Sequence, residues 1–190
     1  MQPTTRSGFW RETDGSRVPA VEAYKAWGEA AYPTLIAIAR DYHAVITYGE
    51  LGKKVQADTD IHTTQQLNYW IGKVLRHVVL EAHRRGGPPL TALAVDAEGR
   101  VGDGYKLVLE TAGEAAIEDD LAREEHAALA RLRCYQRYCP SMPADGGTPA
   151  LAPKLEAKVL RKARAVEPAP PICPACFLAL PVSGVCDNCG

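Results

Sequence analysis

No stretch of this 190-residue chain is apolar for long enough to cross a bilayer. Its opening, MQPTTRSGFWRETDGSR, has no apolar core of the kind a secretory signal needs. Charge of one sign is lacking too. With 22 Lys and Arg against 23 Asp and Glu, the formal net charge is -1, so nothing pulls the whole molecule toward DNA, RNA or acidic lipid. Any nucleic-acid surface must then be a local patch. The five histidines form no HExxH or comparable ligand set, and there is no Gly-x-x-x-x-Gly-Lys phosphate loop. Gly102-Asp103-Gly104 is too short to serve as a nucleotide fingerprint. The acidic run Glu118 to Glu125 lacks the ordered ligand spacing of an EF-hand and reads as a solvated helix start. No repeat of solenoid length is present. The expectation is a cytoplasmic protein that is not an enzyme and has no membrane partner.

What the chain does have is concentrated at its end. Cys173-Pro174-Ala175-Cys176 and Cys186-Asp187-Asn188-Cys189 are two Cys-x-x-Cys knuckles separated by nine residues. Four thiolates at that spacing can occupy the corners of one tetrahedron, the arrangement a structural Zn²⁺ prefers. So short a segment builds no core, and metal binding would supply its folding free energy. Two disulfides or free thiols are the other readings of four such cysteines, but nothing else in the chain looks secreted. Cys134 and Cys139 lie on a predicted helix and read as buried or spare thiols.

Between the ends, periodicity gives the organisation. Residues 1–17 read as a flexible arm. Val18 to Ala31 and a second segment opening at Pro33 read as two helices. Val45-Ile46 suggests a short strand, and Thr47 with Glu50 has the spacing of a capping box for a helix through Val55. The strongest helical pattern runs Leu67, Trp70, Ile71, Val74, Leu75, Val78, Val79, with Thr63 or Thr64 as its cap. Leu90–Val95 and Tyr105–Leu109 read as the strands of a hairpin with a glycine-rich tip. A helix through Leu121 to Tyr138 stops at Pro140, and a basic helix at 154–166 sits within a linker at 140–171. The expected fold is α+β and mainly helical: a winged helix-turn-helix domain with a helical extension at 18–139, the linker, and a small zinc ribbon or knuckle at 172–190.

In a winged helix the long helix enters a DNA groove and the hairpin lies against phosphates. At about 100° per residue, Gln65, Tyr69, Lys73 and Arg76 fall on the side opposite the apolar stripe. An amide, an aromatic and two cations suit bases and phosphates respectively. Arg84 and Arg85 at the helix end, and Arg100 at the presumed wing tip, extend the basic edge. DNA is the expected partner, with the zinc module free to hold a protein. A protein-interaction adaptor in a larger assembly fits the same helix order and stays open.

The segment Val45-Ile46-Thr47-Tyr48-Gly49-Glu50-Leu51 resembles the opening of the winged-helix half of the O6-alkylguanine DNA alkyltransferases and the alkyltransferase-like proteins. Pro88-Pro89-Leu90, Asp96 to Arg100 and Gly102-Asp103-Gly104-Tyr105 look like that family's segment around and after its reactive cysteine. The resemblance covers roughly residues 44 to 106. It implies a DNA-binding scaffold, and a role for Tyr48 in rotating a nucleotide out of the duplex. The family's Pro-Cys-His-Arg motif is absent: Thr91-Ala92-Leu93-Ala94-Val95 stands in its region, and Tyr69 falls near the family's intercalating arginine. Alkyl transfer needs an activated thiolate. The resemblance therefore implies binding without transfer, including the possibility of a modified-base sensor.

Overall fold

The computed structural model describes residues 7–166, 172–181 and 184–189, and the chain divides into two units, one up to Glu156 and one from Ala157. The first unit is built on helix α1 (Ala20–Ile38), which buries Ala23, Trp27, Ala31 and Leu35 at helical spacing. They pack on helix α3 (Ile71–Arg84), whose Val74, Val78 and Ala82 form the facing stripe. The two helices approach so closely that a Cβ on Gly28 would lie 2.5 Å from the ring of His77. Trp27 packs on Trp70 in a tilted arrangement, ring centroids 4.5 Å apart and planes at 44°, and donates its indole N–H to the Ile61 carbonyl at 3.0 Å. Buried aromatics of this kind fix both the core and its polar edge.

Helix α2 (Tyr48–Thr59) starts as its sequence demands. The Thr47 hydroxyl accepts from the Glu50 N–H at 3.2 Å, and the Glu50 carboxylate accepts from the Thr47 N–H at 2.9 Å. Helix α5 (Asp120–Tyr138) is capped by the Asp119 carboxylate on the Ala122 N–H and ends two residues before Pro140. It carries Cys134 and Tyr135 into the core beside α1, while Ala127 and Ala130 join Val101, Val108 and Leu109 in a second cluster. Cys134 and Cys139 are buried free thiols, and burial pushes the Cys134 thiol up to about 12. Among the described residues, six helices and two small sheets make an α+β, mainly helical fold. Among the described residues, no helix is long and apolar enough to cross a membrane.

Several expectations are corrected. Residues 7–17 are not a free arm: strand β1 (Phe9–Arg11) pairs antiparallel with strand β3 (Ile61–Thr63), and Phe9 is buried against Tyr24 and Trp27. Aromatic burial outweighs the polar composition around it. The first two predicted helices are one, with Pro33 inside α1; its ring is accommodated, and only one backbone donor is lost. The long helix begins at Ile71 rather than at a threonine cap. Thr63 belongs to β3, Leu67–Tyr69 form a 3₁₀ turn, and Trp70 leaves helical geometry at φ -130°.

The hairpin is replaced by other structure. Leu90–Leu93 wind as a 3₁₀ turn after the two prolines, and strand β4 (Ala94–Val95) pairs in parallel with strand β2 (Ile46–Thr47). The second run becomes a 3₁₀ turn at Asp103–Tyr105 followed by helix α4 (Lys106–Ala112). A short apolar run does not reveal its period, and tertiary packing decides it. Residues 140–153 are also tied down rather than forming a loose linker. Tyr42, Gln136 and Arg131 bond to Thr148, Gly146 and Ala150, and Ala152 is buried. Helix α6 (Pro153–Val166) follows, and the second unit begins within it.

Candidate functional site

A cleft of about 400 Å³ opens in the first unit where α3 faces the loop 101–105. Its walls come from Leu67 and Asn68, the α3 residues Ile71, Gly72 and Leu75, and the turn carrying Gly102 to Tyr105. Tyr48, at the start of α2, closes one side. Its phenol oxygen accepts from the Gly102 N–H at 2.7 Å, and a Cβ at Gly102 would come within 3.2 Å of that oxygen. Burial pushes the Tyr48 hydroxyl above its ordinary range, so it stays protonated and can still donate. Thr91 also lines the cleft. It is only 7% exposed, and its hydroxyl has no hydrogen-bond partner among the described residues.

The polar groups behind the cleft are buried. One Glu124 carboxylate oxygen accepts from the Val101 N–H at 2.7 Å; the other has no partner among the described residues. Desolvation raises the Glu124 carboxyl, with the Val101 bond and Arg131 opposing it. Arg131, itself buried, donates to the carbonyls of Ala92 and Ala150. Tyr105 contacts His126 Nδ1 at 2.9 Å, and His126 Nε2 lies 2.7 Å from Glu114. This chain holds Tyr105 in place; it does not reach Thr91, whose hydroxyl has no base beside it.

The residues expected to contact nucleic acid divide into two sets. Tyr69 is 66% exposed, between Asn68 in the cleft wall and the buried Trp70. Gln65, Lys73 and Arg76 are exposed nearby; Lys73 sits 4.5 Å above the Tyr24 ring and within 3.4 Å of its hydroxyl. Arg84 and Arg85 both close on the Glu81 carboxylate, at 2.7 and 2.6 Å. Those bonds pull the Glu81 carboxyl down to about 2. Arg100 lies in the turn 96–100, paired with Asp96 at 3.0 Å, and not on a wing. Thr91, Glu124 and Arg131 were not singled out from sequence. Glu124, Ala127, Ala128 and Arg131 share one helical face at i, i+3, i+4, i+7, a signal that places Glu124 inside rather than in the solvated acidic run.

The second unit carries the four knuckle cysteines. Their sulfur atoms all lie within 4.8 Å of one another, with Cys173 and Cys189 4.0 Å apart and Cys176 and Cys186 3.4 Å apart. A tetrahedral ion with thiolate bonds of about 2.3 Å calls for sulfur separations near ~3.8 Å. The donor set therefore fits one metal ion, and no disulfide joins these cysteines. The first knuckle is a tight turn: Phe177 N–H donates to the Cys173 carbonyl at 2.9 Å, and Cys173 N–H to the Leu178 carbonyl at 2.8 Å. Backbone N–H groups of Cys176 and Ala175 stabilise the Cys173 thiolate, drawing its thiol down to about 6, and Cys176 is lowered by the Leu178 N–H. Cys189 moves the other way, to about 11, through its sulfur neighbours Cys176 and Cys186.

Comparison of the chain with protein-family models, with curated proteins and with solved structures gives no match in any of the three.

Proposed function

We propose that this chain is a non-enzymatic DNA-binding protein. The surface at the start of α3 meets the duplex, and the cleft beside it receives a base turned out of the stack. The observation that carries this reading is the juxtaposition of an exposed Tyr69 with a largely apolar cleft lined in part by Thr91, whose buried hydroxyl has no partner among the described residues. Extruding a base costs a few kcal/mol, and an aromatic side chain that fills the vacated stack offsets part of it. The cleft lies within the range of about 300–1,000 Å³ usual for small-ligand sites. Inside it, the Thr91 and Tyr48 hydroxyls can hydrogen-bond a base edge, while Ile71 and Leu75 cover its faces. The resemblance to the alkyltransferase-like proteins agrees with this reading: the segment 91–95 standing in the region of their cysteine borders the cleft through Thr91. Without a base beside it, Thr91 is not an activated nucleophile, which favours a sensor of modified bases over an enzyme. In the second unit, the four cysteines hold a structural Zn²⁺, since all four positions are filled by thiolates and none is left open for a substrate.

Fluorescence anisotropy with plain, mismatched and O6-alkylguanine duplexes at two salt concentrations tests the proposal. Salt-dependent binding with preference for the altered duplexes is expected. Tyr69→Ala should reduce binding of the altered duplexes by about 1–3 kcal/mol, the usual worth of an aromatic–base stack. Gly72→Phe should abolish the preference without unfolding the protein, because a Cβ at this exposed helical position meets nothing within 4 Å. Equal affinity for all duplexes would remove the base-reading role, and absence of salt-dependent binding would remove DNA altogether.

A protein-docking role for the second unit has its own support: Phe177 is 79% exposed, and Leu178 and Val185 are exposed as well. Retention of a protein partner by Phe177→Ser would count against it.

A further inference from the structure

Positive charge in this molecule is not where the sequence places the interface. Up to Glu156 the chain has twenty-one acidic residues against eighteen basic ones; beyond it the balance reverses to two against four. In the first unit, moreover, several cations are already answered, leaving Lys73 and Arg76 as those at the start of α3 without a carboxylate partner among the described residues. Arg84 and Arg85 share Glu81, Arg100 is on Asp96, and Lys54 is on Asp58. The four cations of the second unit are Lys158, Arg161, Lys162 and Arg164, all on α6 and all exposed. Between Ala157 and Val166 there is no acidic residue. Among the described residues no carboxylate pairs with any of the four; Arg161 spends one N–H on the Ala157 carbonyl and keeps its charge unanswered.

Three kinds of partner attract such a stripe, and the rest of the helix separates them. A membrane-surface helix needs a broad apolar face opposite its cations, whereas among the described residues Leu160 is the only large, exposed apolar side chain on α6. A protein interface is organised around an apolar core with aromatic anchors, and α6 has no aromatic residue. A polyanion held by charge alone needs neither. Lys158, Arg161 and Lys162 stand at i, i+3, i+4 on one face, with Arg164 at its edge, covering about 9 Å of helix.

We propose that α6 beyond Glu156 is a second, sequence-independent contact to the phosphodiester backbone, supplying most of the counterion release that the first unit cannot. This rests on the reading of the chain as a DNA binder. In it the two contacts divide the work: the cleft discriminates and α6 attracts.

The experiment measures duplex affinity of the full-length, zinc-loaded protein across a series of salt concentrations, for wild type and for K158A/R161A/K162A/R164A. Alanine is the best helix former, so the variant keeps the helix; circular dichroism checks this. Each phosphate contact contributes about 0.9 to the slope of log affinity against log salt, so the slope should fall by about 3–4 and low-salt affinity by tenfold or more. The charge-preserving variant K158R/K162R should keep the wild-type slope. An unchanged slope in the quadruple alanine variant, with wild type binding normally, overturns the α6 contact and leaves the cleft reading standing. Loss of preference for altered duplexes in Gly72→Phe, with the slope intact, shows that the two contacts are separate, as proposed. A wild-type protein that binds no duplex overturns both. Binding to anionic phosphatidylserine vesicles or to a poly-glutamate chain instead of the duplex would also overturn α6 as a nucleic-acid contact.

Discussion

A buried hydroxyl without a partner costs about 1–3 kcal/mol, and Thr91 carries one at the edge of the cleft. Its position makes sense if a ligand group completes it, and an alanine or valine there would have been the cheaper residue for packing alone. Glu124 poses the same question through charge. Its folded-state carboxyl titrates above the ordinary value, mainly because burial penalises the charged form. The stability tied to its protonated state is fully present below its unfolded value near ~4.5 and is lost as pH rises through the raised folded value. Glu124→Gln mimics the neutral form and can still accept from the Val101 N–H. Its advantage over wild type in thermal melting should therefore grow from pH 4.5 to pH 7. A difference independent of pH would show that Glu124 titrates normally.

Elements differ in how much of their placement their own residues decide. Helix α2 is set locally, since its two reciprocal capping bonds lie within four residues. Thr47→Ala should lower stability by about 1 kcal/mol, read as a shift in denaturant midpoint with unchanged slope. Helix α5 is equally local, from its Asp119 cap to Pro140. These starts and stops were legible because capping chemistry and proline act within a turn. The region 90–109 was not legible. Ala94-Val95 became a strand only because Ile46-Thr47 lies alongside in parallel, and Tyr105 turned into a helix entrance because it packs against His126. Nothing within ten residues of either segment records those partners. The candidate site follows the same rule: the knuckle cysteines announce themselves by spacing, whereas the cleft is assembled from four separated stretches, and of its lining only Tyr48 was expected to contact nucleic acid, with Tyr69 beside it. The cations at 84, 85 and 100 were read correctly as basic and wrongly as available, because their acidic partners sit one helical turn, or one loop, away.

At the scale of the whole molecule, two stabilities coexist. The core clusters draw on residues from Phe9 to Met142, none from the second unit. Among its described residues the second unit has no comparable core, and four sulfurs are their main organising feature. Chelation should therefore release one metal ion per chain, raise amide exchange across 172–189, and leave the melting transition of the first unit in place. Cys186→Ser should do the same. A melting temperature that falls for the whole chain would show that the first unit depends on the metal.

The Tyr42 hydroxyl donates to the Thr148 carbonyl at 3.1 Å and accepts from the Thr148 N–H at 2.7 Å, across a separation of 106 residues. Tyr135 reaches the Ala44 carbonyl over 91 residues, and the only parallel strand pair among the described residues joins segments 48 apart. A chain this rich in helix would be expected to fold fast, but these closures come with a large loop entropy and are made only after the helices have docked. The longest of them, Tyr42 to Thr148, should close last, at the seam that holds residues 143–152 to the core. Partial opening of this protein should therefore start there, and that seam is where a protease would first find a foothold in the folded first unit.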